Sequence, residues 1–190
     1  MKLKSAAKEE EIYRVVLEIT AEAGLSGLKM ANIAKQAGLA HGTVYIYFKN
    51  KKDLINQLYK KAKKSASQSI LSKELANDNF MGDLRLLWKR YISYLLHHQK
   101  EIYFMQQCLN SPFLEDDSLK LSDIFLQEVI LFFEKGQKER YVKSMEIQLI
   151  LAAFKGIARE IVDKLKDNTL SLSDQLLEDS FELCWNAIRR

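Results

Sequence analysis

The chain carries a single proline, Pro112, and seven glycines among its 190 residues. An antiparallel sandwich or barrel needs a turn roughly every ten residues, and such turns draw heavily on those two residue types. A chain this poor in both is expected to be all-α. Apolar residues make up 47% of it and charged residues 28%, near globular averages, so a packed core rather than disorder is expected. At this length the core serves one domain or two small ones that share it.

The longest uncharged apolar runs, such as Ile147 to Phe154, fall well short of the roughly 18 residues that a membrane span requires. The start, Met1 to Ser5, is basic but passes into Lys8-Glu9-Glu10-Glu11 without an apolar stretch, so no secretory signal is expected there and the protein is expected in the cytoplasm. Cys108 and Cys184 lie far apart with no metal-type spacing and read as small buried hydrophobes.

Charge is unevenly placed. Residues 1–64 hold 13 Lys and Arg against 6 Asp and Glu, whereas residues 65–190 hold 16 against 19. Fields act over about a Debye length, roughly 8 to 10 Å, so the local excess matters more than the net +4. A basic head on a mildly acidic body suggests a polyanion-binding module joined to a part with another task.

Helical periodicity runs along nearly the whole chain. Ile12, Val15, Val16, Ile19 and Ala23 form one stripe that stops at Gly24, and Met30, Ile33, Ala34 and Ala37 form a second that stops at Gly38. The run His41 to Phe48 reads as a strand on β-branched and aromatic content alone. Asn50 and Asp53 read as the cap of a long helix from residue 51 to about 70. Further helical stretches run over about 80–98, 101–110, 119–134, 144–165 and 172–188, with Pro112 and Glu115-Asp116-Asp117-Ser118 marking the widest break.

The last two helices are apolar on more than one face. The first has Ile147, Leu151, Phe154, Ala158, Ile161 and Leu165 on one stripe and Leu149, Ala152, Ala153 and Gly156 on another. The second has Leu177, Phe181, Cys184, Trp185 and Ile188 opposed to Leu176, Ser180, Leu183 and Ala187. The surplus points to a second copy, since a two-fold interface buries the same patch twice. Ala152, Ala153, Gly156, Leu176, Leu183 and Ala187 are the expected contacts of that homodimer.

Two short helices around a turn at Gly38, with small Ala34 at their crossing, have the pattern of a helix-turn-helix. His41, Thr43, Tyr45, Tyr47, Lys49, Lys51 and Lys52 around it are donors suited to base edges and phosphate oxygens. Lys51 and Lys52 lie in a helical first turn, where the dipole disfavours cations by roughly 0.3 to 1 kcal/mol. A phosphate held there from outside would account for the placement.

The string LKMANIAKQAGLAHGTVYIYFKNKKDLINQLY resembles the DNA-binding region of the TetR family of bacterial transcriptional regulators, over residues 8–60. The resemblance implies a three-helix head over residues 1–50 and a larger helical body over 51–190 for ligand binding and dimerisation, about nine helices in all. It implies that His41 to Tyr47 is the recognition helix rather than a strand. Carried over residue by residue, it assigns His41, Gly42, Thr43 and Ile46 to the major groove, Tyr45 and Tyr47 to phosphates or base edges, and Lys51 to a phosphate. Two positions depart from the family pattern. Lys29 stands where a capping Ser or Thr is usual, so that it contacts a phosphate without capping and leaves the cap to Ser26, and Ala40 stands where a capping Ser is usual.

The resemblance further implies a repressor that binds a palindromic operator in double-stranded DNA as a homodimer and is released by a small molecule. Candidate ligand contacts in the body are Trp88, Tyr91, Tyr103, Gln106, Gln107, Phe125, Phe132 and Phe154, so a mainly apolar or aromatic inducer is expected. No enzyme, metal or cofactor is expected: His97, His98 and Glu101, and Glu115-Asp116-Asp117, lack completing partner sets, and there is no nucleophile motif or Gly-rich phosphate loop. The competing reading is a helical ligand- or protein-binding adaptor that no longer binds specific DNA, distinguishable by salt-insensitive binding.

Overall fold

The computed structural model describes residues 5–71 and 79–190, so the basic Met1 to Lys4 lie outside it. Nine α-helices occur among the described residues: α1 (Ala6–Ala23), α2 (Met30–Gln36), α3 (His41–Tyr47), α4 (Lys51–Ile70), α5 (Phe80–His97), α6 (Gln99–Leu109), α7 (Asp116–Lys138), α8 (Ile147–Lys166) and α9 (Asp174–Ile188). A 3-10 turn, Leu25–Gly27, joins α1 to α2. The all-helical expectation is met. None of these helices is long and apolar enough to cross a membrane.

Packing divides the chain into two units, Met1–Ser65 with His98–Ser122, and Ala66–His97 with Asp123–Arg190. The first is built on the stripe read from the sequence: Ile12, Val15, Val16 and Ile19 of α1 meet Ile33 and Ala34 of α2, Val44 of α3, Leu54, Ile55 and Leu58 of α4, and Phe104 and Cys108 of α6. Gly38 has φ +63°, the left-handed conformation that only glycine adopts without strain. Its N–H donates to the Lys35 carbonyl and the next N–H, of Leu39, to that of Ala34, the paired bonds that close a helix with a left-handed residue. That turn aims α3 away from α2.

α3 is a helix despite its strand-like composition, and its packing explains why. Val44, Tyr47 and Phe48 are buried together while Tyr45 and Ile46 are exposed. Helical spacing satisfies this set, whereas a two-residue period would bury Ile46 with Val44 and turn Tyr47 outward. Tertiary burial therefore overrides β propensity.

In the second unit, the indole of Trp88 on α5 donates to the Ser180 hydroxyl on α9 at 3.0 Å. Phe154 on α8 packs edge-on to Trp88 at 5.1 Å and to Phe133 of α7 at 5.4 Å. Gly136 permits the closest approach, because a Cβ there would fall 2.4 Å from the Phe80 ring. Ser180 was expected on the second apolar face of α9; it is buried instead, since its hydroxyl is needed by the indole. The chain end is tied down by an isolated bridge between Val142 and Arg189, with Lys143 N–H on the Ile188 carbonyl and Arg190 N–H on that of Tyr141.

Candidate nucleic-acid interface

α3 presents His41, Gly42, Tyr45 and Ile46 outward, with Tyr45 46% and Ile46 42% exposed. Two large apolar-bodied side chains standing free on one short helix are unusual unless something covers them. His41 packs edge-on to Tyr45 at 5.3 Å, which orders both rings one helical turn apart. Thr43 is half-buried, with its N–H on the Ala40 carbonyl. Neither α2 nor α3 has a side-chain cap: Lys29 and Ala40 occupy the cap positions in extended backbone. Ser26, expected to cap α2 from further out, instead bonds back to the Ala23 carbonyl at 3.0 Å.

The start of α4 is capped as its sequence indicates. Asn50 Oδ1 accepts the Asp53 N–H at 2.9 Å, and the Asp53 carboxylate reaches back to the Lys49 N–H at 2.8 Å. This reciprocal pair sets the angle between α3 and α4. Lys49 itself is exposed at the junction.

Two expected phosphate contacts are corrected by the structure. The Lys51 amine turns inward, donating to the Leu25 carbonyl at 2.6 Å and lying 5.0 Å from the centre of the Phe113 ring. Burial also pushes its pKa below the usual lysine value. A carbonyl oxygen and a ring face offset the helix-dipole penalty that seemed to call for an outside phosphate. Tyr47 is only 6% exposed, and its hydroxyl accepts the Ser5 N–H at 2.9 Å. It fastens the start of α1 rather than standing in the groove. Lys52 pairs with Glu115 at 3.4 Å, both side chains being half-exposed.

Exposed cations of the head therefore include Lys29, Lys49 and Lys35 of α2. Lys35 was not singled out by the sequence; its position in the last turn of α2, just before the Gly38 turn, was the available signal.

Asn56 of α4 was also missed. It is buried, donating to the carbonyls of Lys52 and Phe113 at 2.8 Å each and accepting from the Glu115 N–H at 2.9 Å and the Ser118 hydroxyl at 2.6 Å. One amide thus fixes the α6–α7 connection and the first turn of α7 to the helix that follows α3.

The expected ligand contacts do not form one group. Trp88, Tyr91 and Phe154 come together in the second unit, Tyr91 stacking on Phe154 at 5.6 Å. Phe132 lies beside Phe80 and Phe133 in the same unit, while Phe125 is half-buried on α7. Tyr103, Gln106 and Gln107 are on α6 in the first unit, with Tyr103 and Gln106 exposed and Gln107 donating to the Tyr103 hydroxyl at 3.3 Å. Of the expected dimer contacts, Ala152, Gly156, Leu183 and Ala187 are exposed and Ala153 and Leu176 half-buried. Among the described residues no group of three His, Cys, Asp or Glu side chains comes together as a metal set.

Residues 12–58 match the family model for bacterial regulatory proteins of the tetR family, and residues 48–190 match that for the tetracyclin repressor-like C-terminal domain. An uncharacterized HTH-type transcriptional regulator of Haemophilus influenzae is 25% identical over 182 residues, 95% of each chain. A fatty acid metabolism regulator protein of Bacillus subtilis is 45% identical over 53 residues, 28% of this chain and 27% of the other. Among solved structures, a TetR family transcription regulator from Marinobacter aquaeolei VT8 has a TM-score of 0.85 at 17% identity, covering 96% of both chains. The regulator FadR from Bacillus subtilis, solved in complex with stearoyl-CoA, has a TM-score of 0.65 at 22% identity over 92% of this chain and 96% of that one.

Proposed function

Because the chain belongs to the tetR family of bacterial regulatory proteins and is a DNA-binding transcriptional regulator, we propose that it is a ligand-released repressor acting as a homodimer on a palindromic operator. DNA contact is assigned to residues 1–50, and ligand binding and dimerisation to 51–190, with α4 as the connection. The observation that carries the reading is the outward face of α3, where Tyr45 and Ile46 stand free beside an ordered His41. His41, Gly42, Tyr45 and Ile46 read base edges, and Lys29, Lys35 and Lys49 hold phosphates.

Dimerisation is supported by a continuous apolar stripe left open on each of the last two helices. On α8 it runs through Leu149, 59% exposed, Ala152 and Gly156, where a Cβ would meet nothing within 4 Å. On α9 it runs through Leu172, Leu176, Leu183 and Ala187, Leu183 being 61% exposed. Two copies packed on these stripes would set the recognition helices in successive major grooves, about 34 to 36 Å apart.

Ligand bound in the body is proposed to move α4 and change that spacing. The Asn56 hub is the natural route, since it binds α4 to the start of α7. By linkage, the ligand weakens DNA binding by the factor with which DNA weakens the ligand. A mainly apolar ligand suits the aromatic group around Phe154, and the stearoyl-CoA complex of one protein of the same fold is in keeping with it. A repressor of this kind works in the cytoplasm, where bacterial DNA lies.

The test is selection of genomic fragments by the purified protein, followed by anisotropy titrations of the best fragment at several salt concentrations. A palindrome bound by a dimer with a steep salt slope, and lost in Tyr45→Ala, is the expected result. Weak, salt-insensitive and sequence-independent binding would refute the operator reading.

A further inference from the structure

Lys155 and Arg159 stand one helical turn apart on α8, at the border between its buried stripe of Phe154, Ala158 and Val162 and its open stripe of Ala152 and Gly156. Like charges at this spacing repel. Neither cation has a carboxylate within ion-pair distance among the described residues, because the nearby acids of the body are engaged elsewhere. Glu160 pairs with Lys164 at 3.6 Å and Asp163 with Lys166 at 3.0 Å. Across on α9, Glu178 takes both Arg85 and Lys89, at 2.9 and 2.6 Å, and Glu182 takes Arg85 at 3.6 Å.

The pair is also desolvated on one side. Lys155 is half-buried, and burial first, then the Arg159 charge, pushes its pKa below the usual lysine value. Arg159 approaches the Tyr91 hydroxyl closely enough to favour its ionised form, against a larger opposing effect of burial. The Tyr91 ring stacks on Phe154, and Trp88 and Phe133 stand edge-on to that same ring. Two unneutralised cations thus border an aromatic wall. A protein that holds a half-buried amine beside a second cation, without an acid, has an electrostatic debt that a bound anion relieves.

We propose that Lys155 and Arg159 form the head-group subsite of the body's ligand, which is an anionic amphiphile: a carboxylate carried on an apolar or aromatic body. The carboxylate lies between the amine and the guanidinium, and the apolar part runs against Tyr91 and Phe154. This rests on the reading of the body as ligand-binding and narrows it to a chemical class.

Titrations of the full-length protein with decanoate, decanesulfonate and decanol, followed by tryptophan fluorescence, test it through Trp88. The two anions are expected to bind at least about tenfold more tightly than the alcohol, as for a charge-assisted pair. Lys155→Met combined with Arg159→Gln should bring the anions to the alcohol's affinity, leaving decanol binding, the mass of the dimer and unliganded DNA binding unchanged. Lys155→Arg should keep the preference. Equal affinities for anion and alcohol would overturn the proposal, as would a double variant that keeps the preference, or no binding by any of the three. A double variant that loses the dimer while retaining the preference would assign the cations to carboxylates of a second copy, and also overturns it. DNA binding is read separately by anisotropy, so its failure tells against the repressor reading while the anion preference still stands or falls on fluorescence.

Discussion

The Lys51 amine lies 2.6 Å from the main-chain oxygen of Leu25, so the first cation of α4 holds the 3-10 turn between α1 and α2 rather than facing outward. Phe113 closes over it from the α6–α7 connection, 5.0 Å from ring centre to Nζ.

Replacing Lys51 by Met should therefore destabilise the protein by about 1.5 kcal/mol, the order of one charge-assisted hydrogen bond, without changing the salt slope of DNA binding. Lys49→Ala should do the reverse, leaving stability alone and making the slope shallower by about one. Denaturant unfolding and anisotropy at graded salt measure the two. A shallower slope for Lys51→Met would put that amine back on a phosphate.

Asn56→Leu removes two donors and two acceptor contacts from a buried site. The carbonyl of Phe113 and the N–H of Glu115 lose their partner, a penalty of about 3 kcal/mol. Ser118→Ala, which removes one hydroxyl partner, should cost about 1 kcal/mol. A stability of Asn56→Leu within experimental error of the parent would show that the hub carries no energy.

Ala40→Ser should stabilise α3. Ala40 sits at the cap position with φ −61° and ψ 141° and no side-chain acceptor; a serine there gains about 1 kcal/mol by accepting from the first-turn N–H groups. The variant is expected to unfold at higher denaturant and to bind DNA more tightly, since less ordering of α3 is left to be done on the DNA. Unchanged stability and affinity would mean that α3 is held fully by Val44, Tyr47 and Phe48.

Both thiols should be inert in the folded protein. Burial pushes Cys108 and Cys184 up to about 12, so at pH 8 the reactive thiolate is nearly absent and the sulfurs are covered. A colourimetric thiol reagent should register neither thiol in native buffer and both in denaturant. Fast reaction of one in native buffer would reveal local opening around α6 or α9.

Leu183→Glu tests the open face of α9. A carboxylate in the centre of a two-fold interface meets its own copy, so the variant should run as a monomer on light scattering and lose operator affinity while keeping its helix content. A dimer that survives would place the interface elsewhere.

Much of this protein can be read from short-range pattern. Gly38 and the Asn50–Asp53 cap act over a few residues, and the structure reproduces both. Even α3, strand-like in composition, carries the helical spacing of Val44, Tyr47 and Phe48 in its letters. The resemblance of residues 8–60 to the family's head supplied the interpretation that propensity missed.

What pattern did not reveal lies in side chains whose partners are far along the chain. Asn56 looks like any polar residue of an amphipathic helix until residues 113, 115 and 118 are folded against it. Lys51 carries a flexible four-carbon stem that reaches either solvent or the Leu25 carbonyl, and only packing 26 residues away selects one. Helix periods and caps follow from backbone geometry within a turn or two, so they are written locally. The direction of a long polar side chain depends on which distant carbonyl, ring or hydroxyl the fold brings within 3 Å, and that is settled when the helices pack.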